Sequence, residues 1–193
     1  LRADDSPGAR DTIGLLYLAH TSDDHFEELF LSDKSRLKEF RDYFLLKDIS
    51  EYGKGLTKMH YINLVNLDVA FLEEMPEDSV RLKKDISQHY NSLAWYTLLS
   101  GKFDNVMPLV RKSISYDKTN VYALSNAPHA LLFTGEFEKA KGLYLDLKDL
   151  SFDPENNIKT FKDAFLSDFR DFEKEGILND DCRKIMALLK EGD

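Results

Sequence analysis

Three places in the 193-residue chain carry side chains capable of chemistry. The densest is "HTSDDHFEE", where His20, Asp24 and His25 offer two imidazoles and a carboxylate, a donor set that suits zinc if helical turns bring them together. An acidic first turn after Thr21 and Ser22 accounts for Asp23 and Asp24 equally well, because carboxylates complement the positive end of a helix, and His20 falls outside that helix. No metal is expected there. Cys182, the single cysteine, is the second place. A nucleophilic thiol needs an electropositive setting and a base, whereas "NDDC" supplies carboxylates that keep the thiol protonated, so a half-buried helical position is expected instead. His60 and His89 are the third, in helical stretches without an obvious partner, where satisfied or exposed histidines are the ordinary outcome. The chain has no glycine-rich phosphate loop, no Gly-x-Ser-x-Gly, no His-Glu-x-x-His and no pair of cysteines. The expectation is a protein that is not an enzyme and uses no cofactor.

Composition narrows the partners. With 35 acidic against 26 basic residues and a formal charge of -9, the surface repels a phosphate backbone, and no basic cluster offsets this, so nucleic acid is not an expected ligand. The acid is spread along the chain, as on solvated helix faces, and not gathered into an arm. No uncharged apolar run approaches the roughly 18 to 20 residues of a membrane helix, so no membrane insertion is expected. A lone cysteine forms no internal disulfide and favours a cytoplasmic setting without fixing it. The chain begins at Leu1, which reads as a processed product or a piece of something longer.

The elements that must position these groups are helices, and no strand is required. Ser35 stands where it would cap "RLKEFRDYFLL", and "EYGKGLTK", Glu51 to Lys58, reads as a loop or hinge because of its two glycines. In "MHYINLVNLDVAFLEEM" one face carries Ile62, Val65, Val69 and Leu72, while Tyr61, Leu64, Phe71 and Met75 broaden it, which calls for burial on more than one side. Pro76 ends that helix. The next begins between Pro76 and Ser79 and runs to about Ser100. "SFDPENN", Ser151 to Asn157, reads as a loop, followed by helices through "IKTFKDAFLSDFRDFEKEG" and "DDCRKIMALLKEG".

Two stretches repeat one another. "LAWYTLLSGKFDNVMPLV", Leu93 to Val110, and "HALLFTGEFEKAKGLY", His129 to Tyr144, each interrupt an apolar helix with Gly-x-Phe. Aligned by glycine, Gly101 pairs with Gly135, Phe103 with Phe137, Leu98 with Leu132, Val106 with Ala140, Val110 with Tyr144 and Tyr116 with Leu150, always at an offset of 34. The glycine ends one helix, the aromatic packs in the angle, and the small residue lets a second helix approach. The pattern has departures. Ala94 of the first unit corresponds to Pro128 of the second, which predicts a kink near Leu124 to Pro128. Lys118 stands where a closing proline is usual, Leu67 occupies the glycine position upstream, and Gly176 follows Gly135 by 41 residues, so the last hairpin is irregular.

Over Ser87 to Leu150 this pattern resembles the tetratricopeptide repeat. The resemblance implies an all-α fold, a right-handed solenoid of helical hairpins with irregular flanking helices. It divides the chain into an N-terminal helical region (1–86), two repeat-like units (87–150) and C-terminal capping helices (151–193), expected to form one continuous domain. It also implies a concave face lined by the first helix of each unit, with Gln88, Asn91, Trp95 and Leu98 from one and Tyr122, Ser125, Asn126, His129 and Phe133 from the other.

Family members mostly bind peptides or partner proteins on that face. The expected peptide contacts are Asn91, Trp95, Leu98, Tyr122, Asn126 and His129. An asparagine at the Asn126 position commonly holds a peptide backbone, although capping or satisfying the backbone opened by Pro128 is as consistent with the sequence. Trp95 suits a hot spot and suits a core. The lysines and arginine that clamp carboxylate tails are missing, so the expected partner is neutral to basic and partly apolar. The function expected is a non-enzymatic interaction module that binds a peptide segment of a partner. The alternative is a regulatory or structural domain packed against a catalytic domain of a longer chain.

Overall fold

In α1 (Leu37–Leu46) apolar residues recur at Leu37, Phe40 and Phe44, one stripe of a helix, and all three are buried. They pack on Leu64 and Leu67 of α2 (Lys54–Glu74), with Tyr61 and Phe71 at the margin. The computed structural model describes residue 31, residues 34–74 and residues 79–191, which fall into two compact units dividing between Ile86 and Ser87. The His20, Asp24 and His25 group, the Thr21/Ser22 cap and Pro76 lie outside the described residues.

Two local expectations in the first unit need correction. The Glu51–Lys58 stretch is a loop only to Gly53: α2 starts at Lys54, and Thr57 is buried with its hydroxyl donating to the Gly53 carbonyl at 3.2 Å. Ser35 belongs to a short 3-10 turn, and the cap position of α1 is Arg36, which caps nothing with its side chain. As expected, α2 is buried broadly, at Thr57, His60, Asn63, Leu64, Val65, Leu67 and Asp68. Arg41 neutralises the fully buried Asp68 and also reaches Asp85 at 3.0 Å.

The second unit is built from helical hairpins. Helix α3 (Ser79–Leu99) begins in the first unit and ends in the second, where it turns into α4 (Val106–Tyr116). Next come α5 (Val121–Phe133) and α6 (Phe137–Leu147), then α7 (Phe161–Lys174) and α8 (Asp180–Lys190). The three turns share one chemistry. Gly101, Gly135 and Gly176 have φ of 73°, 83° and 71°. Each glycine donates to the carbonyl three residues back: to Leu98 at 2.9 Å, Leu132 at 3.2 Å and Glu173 at 3.1 Å. The residue after it donates five back: Lys102 to Thr97 at 3.3 Å, Glu136 to Leu131 at 2.9 Å and Ile177 to Phe172 at 3.0 Å. These paired bonds satisfy the last helical carbonyls and require the left-handed conformation that glycine adopts without strain. The hairpin at Gly176 therefore turns as the other two do.

The extra length before Gly176 is a β-hairpin, contrary to the strand-free expectation. β1 (Ser151–Asp153) pairs antiparallel with β2 (Ile158–Thr160), Ser151 opposite Thr160 and Asp153 opposite Ile158. Asp153 caps the intervening turn by accepting from the Asn156 amide at 3.3 Å, and Asn157 takes the left-handed position at φ 63°. Phe152 points inward, its ring 4.9 Å from those of both Tyr122 and Phe161. Thr160 then opens α7 with a reciprocal cap to Asp163. Helix α5 continues without a break through Pro128, whose ring is buried.

Helix α7 is part of the core. Phe161, Phe165, Phe169 and Phe172 are buried with Ala164. At roughly 1.5 to 3 kcal/mol for each phenylalanine, their burial contributes about 6 to 12 kcal/mol, on the scale of a whole domain's stability. A helix holding that much of the core is not a detachable lid.

Candidate protein-binding face

Tyr122, Asn126 and His129 recur along one face of α5, and each spends its polar group on another element of the second unit. The Tyr122 hydroxyl donates to Asp153 at the end of β1. Asn126 donates its amide to Oδ1 of Asn91 on α3 at 2.8 Å. His129 lies between the Tyr144 hydroxyl of α6, 2.5 Å from Nδ1, and Asp168 of α7, 3.0 Å from Nε2. Burial pushes the Tyr144 hydroxyl well above the ordinary tyrosine range, with the nearby Cys182 and Asp168 adding to it. Tyr144 therefore keeps its proton; a carboxylate at Asp168 can only accept, so Nε2–H donates to it, and in the neutral ring that tautomer leaves Nδ1 to accept from the Tyr144 hydroxyl.

The expected contact row is thus split. Leu98 and His129 are fully buried and Asn126 and Asn91 nearly so. Leu98 and His129 serve the core, a correction to the wider face inferred from the sequence. The reason is α7: the Phe172 ring lies 4.9 Å from His129, 5.2 Å from Phe133 and 5.5 Å from Trp95. Trp95 and Tyr122 stay half-buried, and Gln88 is exposed. What stays partly accessible at these positions is the two aromatic side chains, beside polar groups already hydrogen-bonded within the unit.

No protein-family model, curated protein or solved structure matches this chain. Asp153, Asp168, Tyr144 and Phe172 were not legible as members of this face, because acidic and aromatic residues abound in the last third of the chain. The β-hairpin and α7 bring them to α5.

Cys182 is fully buried, and burial raises its thiol pKa, so it fills space at the start of α8 and is more enclosed than expected. His60 packs among the rings of Phe44, Tyr52 and Tyr61 in the first unit. Among the described residues no group of three His, Cys, Asp or Glu side chains could hold a metal ion, and no helix is long and apolar enough to cross a membrane.

Proposed function

We propose that residues 87–191 are a tetratricopeptide-like solenoid of three hairpins, and that the protein is a non-enzymatic interaction module. It binds a short peptide segment of a partner over Trp95 and Tyr122. The observation that supports this reading is the pair of half-buried aromatic side chains, Trp95 one helical turn from Asn91 and Tyr122 one turn from Asn126, on two helices joined by the buried Asn91–Asn126 bond. Flat aromatic side chains add contact area with few rotors to freeze, the usual make-up of a hot spot.

A display selection on the full chain tests it, with a Trp95→Ala/Tyr122→Ala double variant of unchanged helicity as the control. Peptides enriched on the wild type and lost on the variant support the reading. Enrichment on both, or on neither, contradicts it.

The alternative, a regulatory or structural domain packed against a catalytic domain of a longer chain, draws on the first unit. There Leu46 at the end of α1 is 86 % exposed and Leu56 at the start of α2 is 47 % exposed. A larger partner surface would cover such leucines. On that reading, replacing Leu46 and Leu56 by serine abolishes association with the partner domain, whereas the Trp95/Tyr122 variant retains it.

A further inference from the structure

The first helices of the two repeated hairpins carry no lysine, arginine, aspartate or glutamate, either in α3 from Ser87 to Leu99 or anywhere in α5. Their second helices do carry such charge, for example Arg111 and Lys112 in α4 and Lys139 and Lys141 in α6. Formal charge reaches the α5 side of the face through the two carboxylates bonded to it, Asp153 and Asp168.

Neither meets a lysine or arginine among the described residues. Asp168 has one oxygen on His129, its other oxygen accepts no hydrogen bond from the described residues, and its side chain is 22 % exposed. Asp153 is held below the usual carboxylate range by the Asn156 side-chain amide and the Tyr122 hydroxyl, so it is ionised at neutral pH.

We propose that this face recognises a partly apolar peptide bearing two basic side chains with two residues between them, one cation at Asp153 and the other at Asp168. The inference rests on the interaction-module reading and gives its partner a chemistry. Tyr122 and His129, which hold the two carboxylates, are seven residues apart on α5, about 10 Å along the helix axis. A polyproline-II segment rises about 3.1 Å per residue with three residues per turn, so side chains at i and i+3 project from the same side about 9 Å apart. The cation at Asp153 also finds an aromatic neighbour in the Tyr122 ring, whose hydroxyl donates to that carboxylate.

The test is fluorescence anisotropy of the full chain with three labelled peptides. One is Leu-Arg-Leu-Leu-Arg-Leu, one has glutamine in place of both arginines, and one carries the arginines adjacent. The first is expected to bind most tightly and to weaken with added salt. Asp168→Asn, which keeps an oxygen to accept from His129, and Asp153→Asn, which keeps one accepting oxygen and gives up the other, are each expected to weaken it about two- to fivefold at unchanged helicity. Equal binding of the glutamine peptide, with both variants silent, overturns the charge inference while leaving a peptide-binding face in place. Equal binding of the adjacent-arginine peptide overturns the spacing. Binding of none of the three overturns the inference outright, and the module reading is then decided by the display selection.

Discussion

Asn126 donates to Asn91 across 2.8 Å, and both side chains are buried, so the first helices of two successive hairpins are joined by a polar contact inside an apolar setting. Asn126→Leu strands the Asn91 amide without its partner, at an expected cost of about 1 to 3 kcal/mol. Replacing both asparagines by leucine is expected to recover part of that loss, because no polar group is then left unpaired. Urea unfolding of the two single variants and the double variant gives the coupling directly. Additive effects contradict the contact.

Gly135 has φ 83°, and a Cβ added there meets nothing within 4 Å, so the strain of a substitution comes from the backbone conformation. Gly135→Val is expected to destabilise by about 1 to 3 kcal/mol, and Gly135→Asn by clearly less, since asparagine tolerates the left-handed region. Equal effects of the two in urea unfolding show that the turn does not need positive φ.

Ala140 is fully buried where α6 approaches α5. Ala140→Leu is expected to overpack this contact and destabilise by about 1 to 3 kcal/mol. Free tolerance of leucine, seen as an unchanged melting temperature, breaks the alignment of Val106 with Ala140.

These positions show what the sequence made legible. The two Gly-x-Phe turns could be found because positive φ favours glycine so strongly, and because the offset of 34 placed Leu98 with Leu132 and Val110 with Tyr144 in one pattern. The hairpin at Gly176 hid behind a change of spacing. Its turn has the same bonds, but the β-hairpin from Ser151 to Thr160 shifts the register, and strands of three residues leave no alternation to read. The site was legible only in part. Trp95 and Tyr122 are half-buried, but the closure over His129 depends on Phe165, Phe169 and Phe172, and a helix's amphipathic stripe does not reveal which neighbour it covers.

Tyr144 makes the fold sensitive to alkali. Its folded pKa is raised by burial, so the native state holds the proton more tightly than the unfolded chain does. The corresponding stability is complete below the ordinary tyrosine value of 10.0 and is lost as pH rises above it. Tyr144→Phe removes this proton and is expected to flatten the decline of unfolding free energy between pH 9 and 11 (about one unit either side of the free value). An unchanged slope contradicts the burial of an un-ionised hydroxyl beside His129.

Trp95 is the only tryptophan in the chain, so its emission reports without a label on the face proposed to bind a peptide. The most direct measurement is a fluorescence titration of the full chain with a peptide recovered from the display selection. The account predicts a shift in Trp95 emission that saturates with binding and disappears in Tyr122→Ala. Binding that leaves the Trp95 emission unchanged places the recognition site elsewhere and contradicts the account.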